Sequence, residues 1–189
     1  MDLTLLRQHI RNQRKALSLV AIQDASEKVA TFCAALPVFQ QAKHIAYYIT
    51  HENEIDANYI LRISKQHQKI AYFPAVHNDT IDFIRVDEDT AFTENKFGIL
   101  EPVSEVRIDA NQLDIIFIPV VAFNEKCHRI GRGKGYYDRT LASANHPVLI
   151  GLAYEFQKAE LPQKEIWDIA MDYVITEARV YYPESWILP

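Results

Sequence analysis

Cysteine and glycine are scarce in this sequence: its 189 residues include two Cys and five Gly. Cys33 and Cys127 are far apart and form no CxxC, which excludes a disulfide scaffold and a cysteine-based zinc site. Two isolated cysteines suit a reducing compartment, so a cytoplasmic protein is expected. With so few glycines and no low-complexity tract, little chain remains for a flexible linker, and one α/β domain over 1–189 with a helical N-terminal segment is expected. No apolar run approaches the ~18 residues of a membrane-spanning helix, and no membrane partner is expected. The start, MDLTLLRQHIRNQRK, has neither the apolar stretch nor the small-residue site of a signal peptide. Positive charge is also in deficit, with 20 Lys and Arg against 25 Asp and Glu, so nucleic acid is not an expected partner. The seven His show no HExxH spacing, and neither GxSxG nor a Cys–His motif is present.

What is present is enough apolar residue, 49%, to bury a substantial core. Leu3, Leu6, Ile10 and Leu17 share one face of a helix over 2–18, with Arg7, Arg11 and Arg14 on another. A second helix is expected over 21–36, ended by Pro37. Strands are expected at 44–50, 69–76 and 80–86, with a helix over 57–66 and a turn at His77-Asn78-Asp79. LDIIFIPVVAF (113–123) reads as one central buried strand, followed by a glycine-rich turn and a helix near 136–144. Further strands are expected at 147–155, 172–176 and 180–182. Alternating strands and helices argue a layered α/β fold, Rossmann-like, with a largely parallel central sheet flanked by helices. Such sheets hold ligands at the carboxyl ends of their strands.

Three of the five glycines, Gly131, Gly133 and Gly135, fall in one window with Arg132 and Lys134 between them. Backbone N–H groups of such a loop, with a helix behind, can form an anion nest to which Arg132 and Lys134 add charge. A plain turn with solvated basic residues is the competing reading. GRGKGYY is not a Walker loop, because Gly follows Lys134, and its third glycine comes too early for GxGxxG.

The stretch DIIFIPVVAFNEKCHRIGRGKGYYDRTL (114–141) resembles the signature of the 5-formyltetrahydrofolate cyclo-ligase family, also called 5,10-methenyltetrahydrofolate synthetase. LRQHIRNQRKALS, NEID (53–56), YFPAV (72–76), GILEP (98–102) and WDIAMDYVIT (167–176) match in order and spacing. Departures are Leu3 where the family usually has Lys, Val120 and Cys127 where it commonly has Gly, and Asn124 where it has Asp.

The resemblance implies ATP-dependent cyclisation of 5-formyltetrahydrofolate to 5,10-methenyltetrahydrofolate, with ATP, Mg²⁺ and a folate bound by a monomer. It implies that Arg7, Arg14, Arg129, Ile130, Gly131, Arg132, Gly133, Lys134, Gly135, Tyr136 and Tyr137 contact ATP, Arg132 and Lys134 being catalytic. Ile49, Glu54, Arg132, Gly133, Lys134, Gly135 and Tyr136 would face the folate, with Glu54 accepting the ring's paired N–H donors. Asp138 and Asp168 would hold Mg²⁺, with Asp172 the alternative to Asp168 and a first-turn helix acid the alternative role for Asp138. A phosphotransferase or sugar-phosphate isomerase, and a binding module without turnover, are the competing functions.

Overall fold

The structure, a computed structural model, describes residues 2–95, 98–142, 147–162 and 168–183. Two side chains start its first helices. The Asp2 carboxylate accepts the Thr4 and Leu5 N–H groups ahead of α1 (Leu3–Lys15), and Ser18 Oγ accepts the Ala21 N–H ahead of α2 (Leu19–Ala35). Each satisfies donors that a helix start leaves unpaired. Pro37 does more than end α2: it opens a short helix, α3 (Pro37–Gln41), at a first-turn position where its missing N–H costs nothing.

The strands follow as β1 (His44–Ala46), β2 (Ile70–His77), β3 (Thr80–Val86), β4 (Ala91–Glu94), β5 (Leu100–Val103), β6 (Arg107–Ile108), β7 (Ile115–Pro119), β8 (Ala122–Phe123), β9 (Arg129–Ile130), β10 (Val148–Leu152), β11 (Tyr173–Ile175) and β12 (Val180–Tyr181). Helix α4 (Asn58–Gln66) lies between β1 and β2, and α5 (Tyr136–Leu141) between β9 and β10. Eight strands form one sheet in the order β12-β11-β10-β7-β1-β2-β3-β6, while β4–β5 and β8–β9 are separate hairpins. The five from β11 to β2 run parallel; β12 and β3 flank them antiparallel, and β6 pairs antiparallel with β3 at the edge. The expected α/β architecture is what the chain forms.

Alternation along the inner strands divides the core between the two faces of the sheet. Ile45, Ile115, Phe117 and Ile150 pack with α2, α3 and α4 residues such as Val29, Phe39 and Ile60. Ala46, Ile116, Ile118 and Leu149 face the other way, towards Phe123, Cys127 and Leu141 of α5. The residues from Ile115 to Ile118 are essentially inaccessible to solvent, and burying each contributes about 1.5–3 kcal/mol.

Three expected strands are shorter than their apolar runs; of 147–155, only Val148–Leu152 is strand. From 44–50, only His44–Ala46 is strand; Tyr47 N–H still bonds Tyr72 O, and the chain then leaves the sheet. The run 113–123 breaks after Pro119, where Val121 N–H turns from the sheet to Ile130 O and joins the β8–β9 hairpin. Apolar content marks burial but not the point at which a chain changes partner. Strands β4, β5 and β6 were not expected; all four residues of β4 are exposed, so no alternation betrays it.

Candidate active site

Chain order reverses across the β7–β1 pair, since β2 lies on one side and β10 on the other. Ligands of open α/β sheets bind at the carboxyl ends of the strands at such a point. A cavity of about 710 Å³ opens there, lined by Ile49 and Glu54 after β1, Pro74 and Val76 on β2, and Ile118 and Pro119 at the end of β7. This is within the range of about 300–1,000 Å³ typical of small-molecule sites. Its charged groups are Arg7 of α1, Glu54 after β1, Glu101 of β5, Arg129 of β9, Arg132 and Lys134 of the loop after β9, Asp138 and Arg139 of α5, and Asp168.

The β8–β9 hairpin carries the glycine loop over this cavity. Arg129, Ile130, Gly131, Arg132, Gly133, Lys134, Gly135, Tyr136 and Tyr137 all line it. Gly133 and Gly135 have φ of +88° and +66°, the left-handed region that favours glycine. Gly135 precedes α5, and Thr140 of that helix accepts the Ile81 N–H of β3, tying the loop's exit to the sheet. Arg7 enters from α1: its Nε donates to Gly131 O at 2.9 Å, and its guanidinium lies 3.5 Å from where a Gly133 Cβ would sit. Arg7, Arg132 and Lys134 thus bring positive charge to one short loop in an acidic protein.

Glu54 is 4% exposed and anchored on three sides. Its Oε1 takes Arg132 Nη2 at 2.9 Å and Arg14 Nη1 at 3.3 Å, and its Oε2 accepts the His51 N–H at 3.1 Å. The turn before it is unusual, with Glu52 and Asn53 at φ +51° and +55°. Arg11 pairs with Glu52 and holds that carboxyl below its ordinary value. The charge of Glu54 adds to burial in pushing the Tyr48 and Tyr137 phenols up, so both stay protonated. Tyr48 donates its O–H to Ile55 O at 2.6 Å.

The stripe of three arginines does not act together. Arg14, expected at the ATP, does not line the cavity; its guanidinium is buried behind Glu54. Asp138 and Asp168 do line the cavity. Asp138 is also a first-turn acid of α5, and its Oδ1 accepts Arg129 Nη2 at 2.9 Å and the Ile169 N–H at 3.3 Å. Asp172 lies outside the lining, where its Oδ2 accepts the Leu149 N–H at 2.7 Å. Among the described residues no group of three or more His, Cys, Asp or Glu gathers as a metal cluster. Both cysteines are buried; burial raises the Cys127 thiol to about 12 and Cys33 further, so neither supplies a thiolate at neutral pH.

The 5-formyltetrahydrofolate cyclo-ligase family model matches residues 2–177. The chain belongs to this family. A 5-formyltetrahydrofolate cyclo-ligase of Haemophilus influenzae is 35% identical over 173 residues, covering 88% of this chain and 92% of that protein. The Escherichia coli cyclo-ligase is 29% identical over 179 residues, covering 91% and 98%. The solved structure of Aquifex aeolicus 5,10-methenyltetrahydrofolate synthetase superposes with a TM-score of 0.83 at 33% identity, over 95% of this chain and 91% of that one. That of Mycoplasma pneumoniae gives 0.76 at 31% identity, over 94% and 99%. The chain is therefore an enzyme, a cyclo-ligase of folate chemistry.

Three of the four departures from the family signature can be placed in this cyclo-ligase, and nothing in the structure explains Val120. Cys127 holds φ +58°, where glycine would be unstrained. Asn124 Oδ1 accepts the Lys126 and His128 N–H groups, which a carboxylate could do equally. Leu3 lines the cavity, so this position faces the site and presents apolar surface.

The sequence reading missed one wall, supplied by Ile99, Leu100 and Glu101 of the β4–β5 hairpin. Glu101 Oε1 accepts the Val76 N–H at 2.8 Å and Asn95 Nδ2 at 2.7 Å, fastening that hairpin to β2. The signal was GILEP, matched to the family but given no role.

Proposed function

We propose that the cavity binds ATP and 5-formyltetrahydrofolate side by side and closes the folate's 5,10 ring. The observation that carries this reading is the convergence on one cavity of a cationic glycine loop and a buried, pinned carboxylate, with apolar surface between them. The donor set fits a triphosphate, since Arg7, Arg132, Lys134 and the backbone around Gly131, Gly133 and Gly135 offer positive charge and N–H groups to anionic oxygens. It also fits Mg²⁺, which keeps several waters and takes phosphate oxygens with one or two carboxylates; Asp138 and Asp168 lie on the same rim.

ATP supplies an electrophilic phosphoryl group that turns the formyl oxygen into a leaving group. The formyl oxygen attacks the γ-phosphorus and ADP departs. Nitrogen-10 then adds to the activated carbon and loses its proton, and phosphate leaves with the former formyl oxygen. No protein nucleophile is required, because this chemistry depends on positioning and neutralised charge. Arg132 and Lys134 neutralise charge on the transferring group, and Arg7 and Arg129 steady the loop and α5. Glu54 accepts the ring's N–H donors, with Ile49 and Tyr136 forming the apolar walls.

We further place the protein in the cytoplasm as a monomer; two buried, unpaired cysteines support the reducing compartment. Among the described residues no helix is long and apolar enough to cross a membrane. Measuring phosphate and ADP release with and without 5-formyltetrahydrofolate tests the coupling. One phosphate per ring closed, and almost none without folate, is expected; release indifferent to folate would contradict it.

A further inference from the structure

Arg7, Arg11 and Arg14 share a helix face, yet the fold sends them to different places. Arg7 reaches the glycine loop and Arg11 the half-buried Glu52 carboxylate, while Arg14 reaches neither solvent nor the cavity. Arg14 is 1% exposed; its Nε and Nη2 are buried without a hydrogen-bond partner, although Nη2 lies 3.8 Å from Glu52 Oε2 in the same turn. Burying a guanidinium with unmatched donors is costly, and a well-packed apolar side chain is often at least as stable in such a place. Stability alone therefore gives no reason for an arginine here.

What Arg14 does reach is Glu54, and it does so from behind. Its Nη1 lies 3.3 Å from Glu54 Oε1, while Glu54 itself lines the cavity. The Arg14 backbone oxygen accepts Asn53 Nδ2 at 3.0 Å, one residue before Glu54. Glu52 and Asn53 occupy left-handed backbone that non-glycine residues rarely adopt, so this turn needs contacts to hold it. Arg14 grips it twice, by main chain and by side chain. Arg132 shares Oε1 but has a side chain 37% exposed, so Arg14, at 1%, is the more enclosed of the two partners.

We propose that Arg14 is a positioning residue that fixes the Glu54 carboxylate towards the cavity, in the orientation that accepts the paired N–H donors of the substrate ring. This rests on the reading of Glu54 as the folate acceptor.

Steady-state kinetics of the full chain test it, using Arg14→Met, Arg14→Lys, Glu54→Gln and the double variant Arg14→Met/Glu54→Gln, each checked by thermal unfolding. Arg14→Met is expected to raise KM for 5-formyltetrahydrofolate about tenfold or more, with kcat within about twofold and KM for ATP unchanged. Arg14→Lys, which keeps the charge but loses the planar fork, should fall between it and wild type. In the Glu54→Gln background, Arg14→Met should add less than about twofold to KM for the folate, because both changes remove one interaction. Fully additive penalties, or kcat and KM for ATP deteriorating together with KM for the folate, would overturn the positioning role. So would an unchanged folate KM in Arg14→Met beside a raised one in Glu54→Gln, and that outcome would leave the folate role of Glu54 standing. An unchanged folate KM in Glu54→Gln would remove that role and this proposal together. If Arg14→Met does not fold, the same cycle built with Arg14→Lys decides, and additive penalties again overturn the proposal.

Discussion

Single residues in this site differ by how firmly the fold has already committed them. Glu54 and Arg129 are buried and multiply bonded, whereas no salt bridge joins Lys134 to a described carboxylate. An uncommitted cation on the loop is suited to charge that develops during transfer. Lys134→Ala should lower kcat about 10²–10³-fold while leaving the unfolding midpoint near wild type. Asp138→Asn should behave differently. If Asp138 holds Mg²⁺, its variant should need more Mg²⁺ to reach half-maximal rate, while Lys134→Ala stays slow at saturating metal. A Mg²⁺ titration of turnover for both variants separates the two roles. A curve for Asp138→Asn superimposable on wild type, with a loss of stability of about 1 kcal/mol or less, would reduce Asp138 to a first-turn acid of α5.

At the scale of elements, the glycine loop is a bend held between β9 and α5, and its glycines are not equivalent. Gly135 sits at φ +66°, and an added Cβ would come within 2.8 Å of the Arg139 guanidinium, which also donates to Asp79 O. Around Gly131, in contrast, nothing lies within 4 Å of an added Cβ and φ is not positive. Gly135→Ala should therefore cost about 1–2 kcal/mol from the left-handed backbone, whereas Gly131→Ala should be near neutral. Denaturant midpoints of the two variants check this, and equal losses would contradict it.

The same elements show what was legible beforehand. GRGKGYYDR could be read as an anion loop because Gly, Arg and Lys carry chemistry at short range. β3 was expected over the span it occupies, since TIDFIRV is rich in β-branched and aromatic residues and follows the turn-like His77-Asn78-Asp79. The β4–β5 wall was not legible, because its exposed strands are fastened by the long-range bonds of Glu101. The position of Arg14 was not legible for a related reason. Helical spacing gave it the same direction as Arg7, but only the fold shows that Glu54 comes to lie over it.

Across the whole molecule, the net charge of −5 makes local electrostatics matter, because positive groups are concentrated where α1 and the loop meet the cavity. The Arg11–Glu52 pair helps hold the turn that presents Glu54. Its hydrogen bond and charge outweigh partial burial and keep the Glu52 carboxyl below the value it has in the unfolded chain. The pair therefore stabilises the fold above the unfolded carboxylate pKa, and the contribution disappears as pH falls through the lowered folded value. Glu52→Gln should be less stable than wild type at neutral pH, the gap closing on acidification and narrowing in high salt. Urea midpoints across that range measure it; a gap independent of pH would mean that the carboxylate charge contributes nothing there.

The central claim, that this cavity couples ATP to ring closure, is tested most directly by the absorbance of the methenyl product when the purified protein meets 5-formyltetrahydrofolate. With ATP and Mg²⁺ the chromophore should appear with the wild-type chain, and about 10²–10³-fold more slowly with Lys134→Ala. Without ATP it should not appear above the uncatalysed rate. Equal rates with and without ATP, or no chromophore from a folded chain that binds both substrates, would contradict the claim.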